Sequence, residues 1–474
     1  MQLVESHAID YVPLRERHGK GWHLWPIWFA GDAHLATLAT GAIGMALGLG
    51  FGWSVLAVLT GCALGTLFMA SHSSQGPELG LPQMIQSRPQ FGYRGALVVW
   101  LFALVTYLGY TVLNEVLFGF AVQDLTGVHL TQSGLVGVFT LFSLAALVFA
   151  VAGYDMIHVA QRVLSALMVA ALLLYSVGVA LIGHGMAQLG LGKWMLLPFL
   201  SQFFAAAGYQ LSWSIYVSDY SRYLPQDIGV KSTFWWTFLG AFIGGAWMML
   251  VGDVAMALFP GPDIVSAVMQ TSNLIVPGFG PVLIVLGSVS LITITTLNLY
   301  CGSLTMLSIV DSFHHVARPG SARLISLAIL GVASIWLSVI AGTNVQEFID
   351  HLLSVLIYLF TPWTAINLVD FFFVRHGHYS VREIFNPKGI YGVWNWRGIS
   401  AYFVGFMAMV PCFSIKSIFV GPIAKMLGGA DVSMLVGLPV SALFYWFACR
   451  SLDLVAERAA IAVADQGLEP GLPA

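Results

Sequence analysis

Charge is what this chain has least of. Only 9% of its 474 residues are Asp, Glu, Lys or Arg, against 58% hydrophobic, and mean hydropathy is +0.84. No polar stretch is long enough for a soluble domain. With a net charge of −3, no nucleic-acid partner is expected. Cysteine is equally sparse: Cys62, Cys301, Cys412 and Cys449 are dispersed and form no CxxC, which argues against a disulfide framework or a structural zinc site. The histidines lack metal-ligand spacing. Nucleophile elbow, Walker loop and HExxH are all missing, so an enzyme has no support. The polar, mixed-charge N-terminal segment has no apolar core or cleavage site of a signal peptide.

What the chain has in abundance is apolar runs of about 20 residues, the length that crosses a bilayer. Twelve such runs predict an all-α polytopic membrane protein with about 12 transmembrane helices. The basic residues then sort by side. Arg15, Arg17 and Lys20 precede the first crossing. Arg88 and Arg94 follow the second, Arg162 the fourth, Arg222 and Lys231 the sixth, and Arg318 and Arg323 the eighth. Arg375, Arg382, Lys388 and Arg397 follow the tenth, and Arg450 and Arg458 the last, leaving only Lys193, Lys416 and Lys425 for the opposite face. By the positive-inside rule the basic face is cytoplasmic and both termini lie inside, in a plasma or inner membrane. Residues 1–25 then form an N-terminal tail, 26–450 one transmembrane domain, and 451–474 a short mobile C-terminal tail.

Two crossings are interrupted by small and polar residues at mid-depth. The first, Pro26–Gly48, carries Phe29-Ala-Gly-Asp-Ala-His34; the sixth, Leu197–Val217, carries Ala206-Ala-Gly-Tyr-Gln-Leu-Ser-Trp213. They stand five crossings apart, so a half at 26–185 and a half at 194–374 would have inverted topology, with 398–450 as an addition. Interrupted segments at corresponding places in inverted halves point to a midplane substrate site. Unwound backbone is tolerated there because it lines a cavity. The first crossing also carries a small-residue stripe, Ala36, Thr40, Gly44 and Gly48, suited to close helix packing.

Asp32 is the sharpest candidate residue. A carboxylate at mid-span is costly and faces a bundle interior, a partner or a cavity. It suits coupling to H⁺ or Na⁺, or acceptance of ring N–H groups; the plain alternative is an acid that caps a broken helix. Tyr110 and Asn114 lie one turn apart in the third crossing, an aromatic plate beside an amide, which suits a planar hydrogen-bonding ring or ordinary packing equally. Gln210 and Trp213 repeat the pairing in the sixth. Glu115 points off the Tyr110–Asn114 face and reads as a structural partner for another helix. The eighth crossing holds a hydroxyl run from Ser288 to Thr296, in which Thr293 and Thr295 could supply oxygens to Na⁺, followed by Asn298 as a substrate contact. Such hydroxyls commonly bond back to their own helix. Asp219 and Arg222 are spaced for an ion pair at the end of the sixth crossing. Asp253 and Asp370 have no assigned role, and His34 reads as packed.

Three stretches together resemble the nucleobase:cation symporter-1 family, in its purine–cytosine permease branch. They are Gln75–Arg88 with Pro89-Gln-Phe-Gly92, Ser218-Asp-Tyr-Ser-Arg-Tyr-Leu-Pro225, and Leu297-Asn-Leu-Tyr300. The resemblance implies a leucine-transporter-like 5+5 inverted repeat plus two C-terminal helices, and secondary active import of a nucleobase-like compound with no cofactor beyond H⁺ or Na⁺. It places substrate contacts at Tyr110, where relatives usually have Trp, and at Asn114, Trp213 and Asn298. It places cation ligands in the span-one backbone and the span-eight hydroxyls, here Thr293 and Thr295. Relatives of the fungal type have Asn where this chain has Asp32, which leaves the exact substrate and ion open. The expected partners are a small heterocycle and the lipid bilayer, with the chain working as a monomer. Another heterocycle, such as a vitamin precursor or an allantoin- or hydantoin-like compound, and a passive facilitator remain the alternatives.

Overall fold

The computed structural model describes residues 10–152, 154–182, 187–261, 263–314, 319–415, 417–466 and 468. Arg318 and Lys416, the side chain of Arg162, the first nine residues and most of the last eight lie outside the described residues. In lipid every backbone N–H and C=O needs an internal partner, so the apolar runs become helices. Twelve spans follow in order. Span one is broken into Leu24–Gly31, Leu35–Gly41 and Ile43–Ala46. Spans two to five are Phe51–Ser73, Ala96–Thr126, Gln132–Ala152 and Tyr154–Ile182. Span six is Leu196–Ser212, a 3₁₀ turn Trp213–Ile215, and Val217–Ser221. Span seven is Gly229–Leu258, and a short outer helix, Ile264–Ile275, leads to span eight at Phe279–Asp311. Spans nine to twelve are Pro319–Ala341, Val345–Val369 with a π turn to Val374, Trp396–Met409 and Ser433–Cys449. Among the described residues seven of these helices are individually long and apolar enough to cross. The remaining spans are broken, shorter or only partly covered by that test.

Basic side chains meet at one end of the bundle. Arg94 lies over Phe313, joining the start of span three to the end of span eight, and Arg323 donates to the Ala150 carbonyl, joining spans nine and four. Each pairing joins the start of an odd-numbered span to the end of an even-numbered one, as spans that alternate in direction require.

Two glycine seams lock the four helices around the site. In span two, a Cβ at Gly65 would stand 2.8 Å from Gln210 Cβ, and Gly61, one turn earlier, lies against the Phe203 carbonyl of span six. In span seven, a Cβ at Gly240 would stand 2.5 Å from the Trp25 carbonyl oxygen, and one at Gly244 2.7 Å from that of Phe29, both in span one. Each seam is a pair of glycines at i, i+4 that lets two backbones touch. The second helix of each half therefore clasps the broken helix of the other half. This is residue-level inverted symmetry, and it was not legible from the interrupted crossings. The small-residue stripe of span one packs closely except at its end: Ala36 and Thr40 are buried, a Cβ at Gly44 would stand 2.6 Å from Ser54 Oγ of span two, and Gly48 lies past the helix end with open space around it, while Gly41, outside the stripe, sits against the Met249 backbone.

The polar ends are folded in. Arg17 donates to the carbonyls of Val12 and Pro77, and Val12 N–H donates to Gly80, so the N-terminal segment is tied to the link between spans two and three. The C-terminal segment is not a loose tail. It forms a helix, Leu454–Ala464, capped by Asp453 and held by buried Arg375, which bonds Glu457 on one side and Asp370 on the other. Burial alone would lower the pKa of Arg375; Asp370, then Tyr445 and Glu457, hold it well above the ordinary arginine value. Asp465 accepts from Ser380 Oγ at 2.7 Å and from the N–H groups of Val381 and Arg382.

Candidate functional site

The break in span one falls at the acid, as its sequence suggests. Helix stops at Gly31, Asp32 folds back on Ala30, and His34 is extended (φ −153°, ψ 166°) before helix resumes at Leu35. Asp and Gly both favour leaving a helix. The break in span six lies further along than expected. Ala206–Ser212 stays helical, and unwinding occurs at Trp213–Tyr216. The small residues before it serve packing: Gly65 sits against the Ala207 backbone, and Gly208 faces Ile357 of span ten.

Asp32 is buried, and its Oδ2 accepts from Gln210 Nε2 at 3.2 Å. Gln210 also donates to the Ala241 carbonyl of span seven. Gly245 makes room for the pair, since a Cβ there would collide with Gln210 Nε2. Tyr110 shares a 2.9 Å bond with Ser212 Oγ, which itself donates to the Tyr209 carbonyl. Asn114 donates to Thr295 Oγ1 at 2.9 Å, and Asn298 accepts from the Tyr216 hydroxyl at 2.7 Å. The structure thus gathers Asp32, Gln210, Tyr110, Asn114, Trp213 and Asn298 around the two breaks.

The hydroxyl run of span eight is arranged otherwise. Thr293 donates to its own helix at Ser290 O, Thr295 is engaged by Asn114, and Thr296 turns to the Ala146 carbonyl of span four. No hydrogen bond joins Thr293 or Thr295 to Asp32 among the described residues.

Several residues were missed in the sequence. Tyr209 is edge-on to both Tyr110 and Trp213, with centroids 5.8 and 6.5 Å away, so it joins the aromatic plates of the third and sixth crossings. Its hydroxyl meets Thr37 at 2.6 Å and His34 Nε2 at 3.4 Å, so His34 belongs to this network. Trp28 and Tyr216 pack on Trp213 at 6.0 and 5.4 Å. In a chain so rich in aromatics, a ring in the site carries no mark that separates it from packing. Gly245 had a detectable signal, since it adjoins the second glycine of an i, i+4 pair.

The electrostatic character of the site lies in what is left over. Four buried side chains from four different spans each keep a polar atom without a partner: Asp32 Oδ1, Asn114 Oδ1, Gln210 Oε1 and Asn298 Nδ2. Buried polar atoms are nearly always paired, and an orphan costs about 1–3 kcal/mol. Trp28 Nε1 and His34 Nδ1 beside the breaks are left over as well, so the side chains around the two breaks have both acceptors and donors to spare for a polar molecule. Toward the basic end the site is floored by Tyr216, bonded to Asn298 and edge-on to Tyr107 at 5.1 Å. Beneath that floor opens a cavity lined by Tyr107, Trp100, Met84, Asp219, Cys301 and Thr305. Asp219 there accepts from Gln83 N–H at 2.8 Å, which ties span six to the link between spans two and three, and Arg222 donates back to the Asp219 carbonyl at 3.3 Å.

Elsewhere Glu115 takes hydroxyl donors from two other spans, in keeping with a structural partner, and Asp253 accepts from Ser54 at 2.7 Å. Asp370 is enclosed by Arg375, Tyr379, Tyr445 and Gln90.

Comparison with known proteins places this geometry among membrane transporters. The family profile described as permease for cytosine/purines, uracil, thiamine and allantoin matches residues 11–437. The chain is 34% identical over 458 residues to YxlA of Bacillus subtilis (strain 168), which carries the name purine-cytosine permease, covering 94% of this chain and 95% of that one. It is 23% identical over 469 residues to the purine-cytosine permease fcyB of Emericella nidulans, covering 93% and 87%. In structure it is similar to Mhp1, a nucleobase-cation-symport-1 family transporter solved closed with bromovinylhydantoin bound. The TM-score is 0.72 at 17% identity, covering 98% of this chain and 100% of that one, which establishes the shared fold.

Proposed function

The chain belongs to the family of permeases for cytosine/purines, uracil, thiamine and allantoin, and from that premise we propose that it is a secondary active symporter importing a nucleobase-like heterocycle of the cytosine or purine class. As a family member it is a multi-pass membrane transporter and not an enzyme. The proposed setting is the plasma or inner membrane with both termini cytoplasmic, which rests on the sorting of basic residues.

The observation that supports the substrate class is that Asp32 Oδ1, Asn114 Oδ1, Gln210 Oε1 and Asn298 Nδ2, on the spans that carry the two breaks and the two spans bonded to them, are left without partners. Cytosine and adenine offer an amino group, a ring N–H and ring acceptors in one plane. Such a molecule would satisfy all four orphans at once, while Tyr110, Tyr209 and Trp213 would enclose its faces. A site built on hydrogen bonds discriminates strongly against analogues that leave its groups unpaired.

For the coupling ion, a proton at Asp32 fits better than Na⁺. Na⁺ prefers several oxygen ligands, and Thr293 and Thr295 are otherwise engaged. In the proposed cycle substrate and proton bind at mid-depth, the bundle of spans one, two, six and seven rocks against the rest, and the Tyr107–Tyr216–Asn298 floor parts to release the load through the inner cavity.

Uptake of radiolabelled cytosine, adenine, hypoxanthine and uracil into proteoliposomes tests this, with a pH gradient, a Na⁺ gradient or neither imposed. Accumulation of one base under the pH gradient alone is expected. Accumulation under Na⁺ alone would overturn the ion assignment. Equilibration without accumulation would make the protein a facilitator. If none of the bases moves, allantoin and hydantoin compounds become the next panel.

A further inference from the structure

Glu115 lies in span three, one residue beyond the candidate site's Asn114, and is completely buried. Its partners come from two other spans and are all hydroxyls. Ser143 of span four and Ser334 of span nine donate to Oε1, the latter at 2.8 Å, and Ser338 of span nine donates to Oε2 at 2.5 Å. Among the described residues no cation answers it. Span four contains no charged residue. Arg323, the charged residue of span nine, stands eleven residues from Ser334, about 16 Å along the helix, and is bonded to Ala150 O and stacked on Tyr300. Asp124, the other acid of span three, lies nine residues on, about 13 Å away. Tyr300 and Cys301 of span eight and Glu347, Asp350 and His351 of span ten are not among the neighbours acting on Glu115, and Asp311 ends span eight sixteen residues, about 24 Å, beyond the Thr295 that Asn114 engages.

We infer that Glu115 and its three serines form a proton-binding site in the scaffold, separate from Asp32 and built to hold or release one proton without moving a heavy atom. Each serine has one proton to give and lone pairs to accept with. When Glu115 is ionised, all three serines donate to it. When it is protonated, a new O–H bond forms on a Glu115 oxygen at the expense of a hydronium ion, and that O–H donates to a serine. The serine's own proton then needs another acceptor, and the structure supplies it. Ser334 Oγ stands 2.9 Å from the Gly331 carbonyl, and Ser338 Oγ 3.5 Å from that of Val112. Hydroxyl rotation alone connects the two states, and neither leaves a buried donor unpaired. A purely structural anchor for three helices has no need of this. An amide or a hydroxyl would pin them without the cost of an uncompensated acid in a dry interior. The site adjoins Asn114, which bonds Thr295 of span eight, so the charge of Glu115 lies one residue from a candidate substrate contact.

The test is infrared difference spectroscopy of the purified protein titrated with pH, and it does not depend on transport or on the identity of any substrate. The C=O stretch of a protonated carboxylic acid is expected to grow as pH falls. It should be lost in Glu115→Gln, retained in Asp32→Asn, and moved to a different pH midpoint in Ser338→Ala, which keeps the acid but removes one hydroxyl. A titrating band that survives Glu115→Gln unchanged would overturn the inference. So would a Ser338→Ala titration that coincides with the wild type, and this second variant decides the matter if Glu115→Gln does not fold.

Discussion

The glycine seam of span seven gives the most direct quantitative test. In Gly244→Ala the added methyl would stand 2.7 Å from the Phe29 carbonyl oxygen and 2.9 Å from Phe29 Cα. Both are backbone atoms, so no side chain can swing aside. Reaching ordinary contact at 3.4 Å needs a displacement of span one by about 0.7 Å. Overpacking of this kind costs about 1–3 kcal/mol. The displacement acts three residues from Asp32, whose bond to Gln210 is already 3.2 Å long, so the candidate site is loosened along with the fold. Gly137→Ala is the matched control. Gly137 lies in the helix of span four with nothing within 4 Å of its Cβ position, and replacing a mid-helix glycine by alanine gains up to about 1 kcal/mol. Thermal unfolding in detergent, followed by tryptophan fluorescence, should show Gly244→Ala falling by several degrees and Gly137→Ala unchanged or raised. Substrate uptake should weaken in the first alone. Equal midpoints for Gly244→Ala and wild type, or a comparable fall in Gly137→Ala, would refute the reasoning that backbone contact sets the tolerance of these positions.

Asp32→Asn should uncouple uptake from the imposed gradient while leaving the protein folded; proteoliposome accumulation identical to wild type would remove Asp32 from coupling. Glu457→Ala should free the C-terminal helix at a cost of about 1–3 kcal/mol, discounted because Glu457 is partly exposed, and limited proteolysis should then cut within Leu454–Ala464 where the wild type resists. Cys301 lines the inner cavity whereas Cys62, Cys412 and Cys449 are buried, so a membrane-permeant maleimide should label the wild type and not Cys301→Ser. A transported base should slow that labelling if closing the floor narrows the cavity, and equal labelling of the two proteins would contradict the cavity.

The twelve crossings were legible because lipid imposes length and apolarity on every span, and the break in span one because Asp32 interrupts an otherwise apolar run. The break in span six was misplaced for a physical reason. Gly208 and the polar Gln210 and Ser212 suggest a weak helix, yet the smallness of Ala206, Ala207 and Gly208 is used for contact with spans two and ten, and the helix holds until Trp213. Asn114, Gln210 and Asn298 drew notice because amides are rare in such a chain; Tyr209, Trp28 and Tyr216 did not, because aromatics are common in it. The assignment of Thr293 and Thr295 to one ligand shell needed the helix register: Thr293 bonds back along its own helix, while Thr295 faces span three. The C-terminal helix had a readable start, Asp453 capping an amphipathic segment, but its docking depends on Arg375, far away in sequence.

The exchange of clasps between the halves bears on how the chain is made. As the first half leaves the ribosome, span one has no second-half helix to close over its break, and Gly61 and Gly65 of span two face an empty groove. Only when spans six and seven arrive can both breaks be covered, in one reciprocal step. The first half must therefore wait in the bilayer with a polar wound open, held by its neighbours or by an insertion factor. Two halves expressed as separate chains should persist only when made together, each serving as the assembly partner of the other.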